Sequence, residues 1–314
     1  MTQRVLILGA KGMLGQALVR AFHDAEVFAW DREECDITDA AFVAKKIGEL
    51  RPELVVNAAA YNDVDGAEKD STLANVINGD AVGYLANAAE KVGATFVHYS
   101  TDYVFDGAKK EGYQESDIPS PISEYGKSKF LGEQNFFLSL RATASCGAPP
   151  KAVGVERRGN LTAYCIRTSR LFGRQGSGKQ SFVDLMLERA RKIEVRLSQS
   201  IEIVDEELSS PTYVEDLAQH TREIIEQKKP SGIYHVTNSG TVTWYGFAQE
   251  IFKQAHELGI RTRMPLVTPV PSTRFPRPAK RPAYSQLLNT KLPPLRPWQE
   301  ALQDYLQSLR GRTS

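Results

Sequence analysis

The sequence predicts an α/β protein organised around a doubly wound parallel sheet. Three observations carry that expectation. A short apolar run from Arg4 to Leu8 ends in Gly9-Ala10-Lys11-Gly12-Met13-Leu14-Gly15 and passes into a helical pattern, which is strand, glycine turn, helix. Further short apolar runs then alternate with amphipathic helical stretches, the signature of βαβ units. The oxygen-bearing residues gather just after those runs, at the carboxyl ends where open α/β sheets place ligands.

In the glycine turn, Gly9 can bend tightly and Gly12 lets the backbone approach a pyrophosphate at the helix N-terminus, where Met13 and Leu14 begin the helix. Gly15 allows close packing of helix on strand. This is a Rossmann-type dinucleotide site. Val27 to Trp30 forms the second strand, and Asp31 after it is placed to bond a ribose 2′-hydroxyl, which favours NAD. Lys11 and Arg32 are cations able to receive a 2′-phosphate, so the expected cofactor is NADPH, with NADH possible. Asp36, followed by Ile37, is assigned either to the adenine or to the cap of the next helix.

Leu54 to Val56 is a buried strand running into Asn57, Ala58, Ala59 and Ala60, small enough for a flat cofactor to lie against. Asn62, Val64 and Asp65 follow in a loop expected near the nicotinamide, with Glu68 supporting the helix behind it. Thr72 to Val92 reads as one amphipathic helix, with Asn78 satisfying backbone groups. Thr95 to Tyr99 is the next strand; His98 is a packed residue on it, and it delivers Ser100, Thr101, Asp102 and Tyr103, with Thr101 the strongest oxygen donor. Pro119-Ser120-Pro121 then breaks the chain before a helix carrying Tyr125 and Lys129. Residues at i and i+4 share a helix face, and a neighbouring ammonium lowers the pKa of a phenol. The pair is therefore a tunable acid.

Arg141 to Asn160 reads as an irregular loop without catalytic groups. Ala163 to Arg167 is a strand, Phe182 to Ile193 a helix, and Ser209 to Leu217 a turn leading into another helix. Asp205, Glu206 and Glu207 are expected to form a solvated turn rather than a metal site. Ile233 to Val236 is a strand, Thr241 to Leu258 a helix opened by capping hydroxyls, and Trp298 to Leu309 the last helix.

At 314 residues the chain has room for one large α/β unit or two packed domains. With 39 basic and 38 acidic residues it carries no broad footprint for nucleic acid or an anionic membrane. Cys35, Cys146 and Cys165 are scattered, which suggests reduced thiols, and no apolar run reaches the roughly 18 residues of a membrane span. A cytoplasmic protein is expected.

The glycine loop, Asn57-Ala58-Ala59-Ala60, Ser100-Thr101-Asp102-Tyr103-Val104-Phe105 and Tyr125-Gly126-Lys127-Ser128-Lys129 together resemble the extended short-chain dehydrogenase/reductases. Val64-Asp65-Gly66-Ala67-Glu68, Gly232-Ile233-Tyr234-His235, Thr243-Trp244 and Arg281-Pro282 are similar, more narrowly, to the dTDP-4-dehydrorhamnose reductase family. That resemblance implies a Rossmann-type domain, mainly residues 1–170 with segments around 205–240, and a smaller C-terminal α/β sugar-nucleotide domain, mainly 171–314. It implies NAD(P)H-dependent reduction of the C4 ketone of a nucleotide-linked 6-deoxyhexulose, with dTDP the expected nucleotide, by a monomer or homodimer.

Carried onto this chain, Tyr125 protonates the developing alkoxide and Thr101 hydrogen-bonds the same oxygen. Lys129 holds the ribose and lowers the Tyr125 pKa. Ser100 joins the cofactor site; Asn62, Val64, Asp102 and Tyr103 join the substrate site. Tyr103 occupies the position where related dehydratases carry a Glu, which favours reduction over dehydration. Arg170 stands where the family often has an apolar aromatic residue, and is expected to bind a diphosphate or a sugar substituent or to face solvent. Glu207 and Ser209 replace a usual Gln and Gly. Alternatives implied by the same resemblance are a non-catalytic regulatory subunit like that of methionine adenosyltransferase, or a sugar-nucleotide epimerase or dehydratase.

Overall fold

The computed structural model describes residues 2–139, 161–178, 180–194, 200–260 and 263–310. The expected loop from 141 to 160 and Cys146 lie outside them.

The apolar runs become β1 (Arg4–Leu8), β2 (Glu26–Trp30), β3 (Leu54–Asn57), β4 (Thr95–Thr101) and β5 (Ala163–Thr168). With the later strand Gly232–His235 they form a six-stranded sheet in which every pairing is parallel. Its order is β2, β1, β3, β4, β5 and then Gly232–His235, so the direction of winding reverses between β1 and β3. Such a reversal opens a crevice at the carboxyl ends of those strands. Leu8 pairs with Asn57 at that end.

Strands buried on both faces read as continuous apolar runs, and here β1 and β3 are covered on each side. One face packs against α1 (Met13–Ala21) and a later helix, Val214–Glu226; the other packs against α2 (Ala40–Leu50) and, beyond the short helices α3 (Val64–Lys69) and α4 (Ser71–Asn75), against α5 (Ala81–Val92) and Phe136 of α6 (Glu124–Ser139). A separate apolar cluster gathers Phe172, Val183, Met186, Phe247, Phe252, Trp298 and Leu302 from the second half of the chain.

Two local expectations are corrected. Asp36 does not cap α2: its Oδ1 accepts hydrogen bonds from the N–H and hydroxyl of Thr38, while Asp39 accepts from Ala41 and Phe42 and is the cap. The helix expected over Thr72 to Val92 starts as Ser71–Asn75, loosens into a π turn at Val76–Asp80 and resumes at Ala81. At this turn it packs closely on α6: a Cβ on Gly132 would stand 2.2 Å from the Asn78 carbonyl and one on Gly79 would stand 2.5 Å from Leu131. The wide turn also frees Asn78, whose amide brackets Tyr61 through its N–H (2.8 Å) and carbonyl (3.0 Å) and donates to Ser128 on α6 (3.0 Å). Asn78 thus ties the loop after β3 to the helix that bears Tyr125.

Candidate active site

The carboxyl ends of β1, β3, β4 and β5 open into one cavity of about 540 Å³. Gly12, Met13, Leu14 and Gly15 line it, as do Asn57 to Ala60, Asn62, Ser100, Thr101, Asp102, Tyr125, Lys129 and Arg170. Gly9, Lys11, Asp31, Arg32, Asp36, Ile37, Val64 and Tyr103 are not on its wall. Ile37 packs into the core, and Val64 opens the short helix Val64–Lys69.

The glycines are required by contact. Gly9 has φ +73° and a Cβ on it would lie 2.7 Å from the Ala59 nitrogen; a Cβ on Gly15 would lie 2.1 Å from the Gly9 carbonyl. Glycine alone meets both conditions at Gly9. The helix α1 begins at Met13 without a side-chain cap or an acidic residue in its first turn, so its N-terminal N–H groups face the cavity as an anion site. The Asp31 carboxylate accepts from the backbone N–H of Lys11 (3.0 Å) and of Arg32 (2.9 Å), which commits it to shaping this turn. Lys11 pairs with Glu33 on the surface, and Arg32 stands exposed 3.7 Å from Asp36.

Tyr125 and Lys129 share a face of α6, as their spacing requires. The helix start is held from two sides: Glu68 accepts the N–H of Glu124 (2.9 Å), and Ser123 Oγ accepts that of Gly126 (3.1 Å). Gly126 lets α6 approach the Tyr103 carbonyl, from which a Cβ would be 2.2 Å. The Tyr103 ring meets Tyr125 edge to face at 5.8 Å.

The expected tuning of the phenol by the ammonium is not what the geometry holds. Burial raises the Tyr125 pKa, the nearby Asp102 carboxylate raises it further, and a hydrogen bond with Thr101 opposes them. Lys129 instead donates to the Tyr99 carbonyl at 2.6 Å, and burial lowers its own pKa to about 8. His98, beside it on the sheet, is kept neutral by burial and bonds Asn57, the packing role expected of it.

Asp102 is almost fully buried, and three hydroxyls donate to it: that of the adjacent Thr101 (3.0 Å) and, from distant segments, those of Ser209 (3.1 Å) and Ser285 (2.5 Å). Thr101 also accepts the Tyr103 N–H at 3.2 Å. The chain from Arg277 to Ser285 is strapped over this end by Arg281, which grips Asp65 with both terminal nitrogens (2.6 and 2.7 Å). That pair holds the Asp65 carboxyl down at about 2.

The acidic run is corrected in part. Glu207 is not solvated: it is buried, paired with Arg277, and accepts the Trp244 indole N–H at 3.0 Å. Sequence reasoning also missed Thr168, Ser169, Leu171, Gly176 and Gly178 on the cavity wall. Gly176 lies against the glycine loop, where a Cβ would meet the Lys11 carbonyl at 2.4 Å, and Ser177 donates to the same carbonyl at 2.8 Å. The available signal was the cluster Gly173, Gly176 and Gly178 directly after a strand.

The family model described as the RmlD substrate binding domain matches residues 3–144 and 152–310. The chain belongs to this family. Among its relatives is a dTDP-4-dehydrorhamnose reductase of Burkholderia thailandensis, 36% identical over 302 residues, covering 92% of this chain and 91% of the relative. A spore coat polysaccharide biosynthesis protein of Bacillus subtilis is 36% identical over 310 residues, covering 97% of each. The crystal structure of a dTDP-4-dehydrorhamnose reductase from Bacillus anthracis in complex with NADP superposes with a TM-score of 0.84 at 32% identity, covering 98% of this chain and 100% of that one. The sheet order and flanking helices are those of an RmlD-family α/β protein. Among the described residues, no helix is long and apolar enough to cross a membrane.

Proposed function

We propose that this RmlD-family protein is an NADPH-dependent reductase of the C4 ketone of a dTDP-linked 6-deoxyhexulose, dTDP-4-dehydrorhamnose first among the candidates. The observation that carries the reading is the convergence of Thr101, Tyr125 and Lys129 in one cavity beside an uncapped helix N-terminus.

The cavity suits a nicotinamide dinucleotide. The α1 N-terminus and the bare backbone of Gly12 receive the pyrophosphate, Asn57 to Ala60 offer a small-residue wall, and Ser100 and Lys129 stand further along the cleft. Asp31 is spent on the backbone, while Lys11 and Arg32 lie on either side of its turn. The exposed Lys11 pair with Glu33 contributes little and yields readily to a phosphate, which favours NADPH. When bound, the cofactor supplies hydride.

The rest of the chemistry belongs to this chain. A phenol whose pKa is raised stays protonated in neutral solution, so Tyr125 has a proton to give to the oxygen that develops at C4. The Thr101 hydroxyl donates to Asp102 here, and turned towards the sugar it donates its proton to that same oxygen. Lys129 holds a ribose hydroxyl and brings positive charge close to the transferring proton. Tyr103, in place of a second acid, removes one of the proton carriers that loss of water needs. In this reading the dinucleotide domain is mainly residues 1–170 with segments from 205–240, and the sugar-nucleotide domain mainly 171–314.

A second substrate has specific support. A relative from Streptomyces antibioticus, 36% identical over 309 residues, is named a probable dTDP-4,6-dihydroxy-2-methyloxan-3-one 4-ketoreductase, and that sugar has one ring hydroxyl fewer. Purified protein with NADPH and each of the two dTDP sugars should consume cofactor with at least one. Absence of turnover with these and with UDP- and GDP-linked 4-keto sugars would remove the proposal.

A further inference from the structure

Arg170 is built into the cavity in a way the reductase chemistry does not use. It lies two residues beyond the end of β5 with φ +43°, a left-handed backbone that an arginine adopts only when its surroundings hold it. Its carbonyl accepts the Thr212 N–H at 3.2 Å. Its terminal nitrogens donate to the carbonyls of Val242 and Glu207, both at 2.7 Å. One face of the guanidinium lies over the Trp244 ring at 4.0 Å from the centroid.

A guanidinium has five N–H donors, and among the described residues two of those of Arg170 have acceptors. Asp102 and Glu207 are near enough to act on the charge, yet among the described residues neither forms an ion pair with Arg170; Glu207 pairs with Arg277 and Asp102 with hydroxyls. Burial lowers the Arg170 pKa to about 10, which leaves it charged at neutral pH. The result is a clamped cation with spare donors on the wall that also holds Thr101 and Tyr125.

We infer that Arg170 is a specificity-determining residue that hydrogen-bonds a ring hydroxyl of the keto sugar, so that the protein selects fully hydroxylated 6-deoxyhexuloses over their 2-deoxy or 3-deoxy counterparts. The inference rests on the reductase reading and deepens it. An apolar side chain at this position would pack against either kind of sugar. A rigid charged donor penalises the one that lacks an acceptor, because its N–H groups are then left desolvated and unpaired.

The test measures kcat/KM for dTDP-4-dehydrorhamnose and its 2-deoxy and 3-deoxy analogues, with NADPH, in the wild-type chain, Arg170→Leu and Arg170→Lys. Wild type is expected to prefer the fully hydroxylated sugar over at least one analogue by about tenfold or more. Arg170→Leu loses that preference, mainly through KM, with NADPH affinity unchanged, and Arg170→Lys keeps part of it. Should Arg170→Leu fail to fold, partial loss of preference in Arg170→Lys with wild-type NADPH affinity gives the same answer. An undiminished preference in either folded variant, or an equal loss for all three sugars, overturns the inference while leaving the reductase reading intact. A wild-type chain that turns over none of the three overturns the inference, and one that also leaves UDP- and GDP-linked 4-keto sugars untouched overturns the reductase reading with it.

Discussion

Removing one partner of the Glu133–Arg167 pair should destabilise the protein more than any other single polar substitution discussed here. Both side chains are only 1% exposed, and they meet through two hydrogen bonds, Nε to Oε1 at 2.8 Å and a terminal nitrogen to Oε2 at 2.6 Å. Glu133→Gln leaves the guanidinium buried with His235 at 3.4 Å, the face of Phe105 at 5.0 Å and, through charge alone, the buried Glu115 carboxylate, which makes no ion pair with it among the described residues. His235, held down to about 3 by burial and the arginine itself, brings no negative charge. Breaking a buried pair on one side costs about 3–5 kcal/mol, whereas replacing both partners with apolar groups of similar volume costs far less. Urea unfolding should therefore show Glu133→Gln losing about 3–5 kcal/mol and Glu133→Met/Arg167→Met recovering most of that loss. A loss below about 1 kcal/mol in the single variant, or a double variant worse than the single, would refute the reasoning. Glu133 stands one turn beyond Lys129 on α6, so the pair also fixes the helix that carries the proposed catalytic residues.

Other outcomes follow from the same geometry. Tyr125→Phe should lower kcat by about 100-fold or more while NADPH affinity stays close to wild type; comparable turnover would mean the proton has another source. Lys129→Met should weaken NADPH binding yet raise apo stability at neutral pH. The Lys129 pKa falls from 10.5 unfolded to about 8 folded, so its burial cost is present in full below pH 8 and is relieved as pH rises to 10.5. Stability that rises through that window in wild type, and does so less in Lys129→Met, is the expected signature. The Asp65 carboxyl, depressed to about 2 by Arg281, adds stability above the ordinary carboxylate pKa that is lost as pH falls towards 2; Asp65→Asn should flatten that part of the acid unfolding curve. Gly9→Ala should destabilise by more than about 1 kcal/mol, since it forces a Cβ at φ +73° onto Ala59.

The sheet and the cofactor turn were legible because their causes are local. Gly9, Gly12 and Gly15 between an apolar strand and a helix leave few alternatives, and the i, i+4 spacing puts Tyr125 and Lys129 on one face. What could not be read depends on residues far apart in the chain. Two of the three hydroxyls that hold Asp102 come from positions 107 and 183 residues away, and Arg281 reaches Asp65 across 216. Glu207 looked solvated because its neighbours in sequence are acidic, but the strap that brings Arg277 over it buries the carboxylate. The same distance explains the tuning of Tyr125: the spacing identified Lys129, while the fold gives its ammonium to the Tyr99 carbonyl.

The central claim is that hydride reaches the sugar while Tyr125 supplies the proton. The direct measurement follows deuterium from NADPH labelled on the transferable C4 position into dTDP-4-dehydrorhamnose by NMR of the product. One deuterium at the sugar C4 for each cofactor consumed is the predicted result. A product without deuterium, or sugar conversion with no net consumption of NADPH, would contradict it.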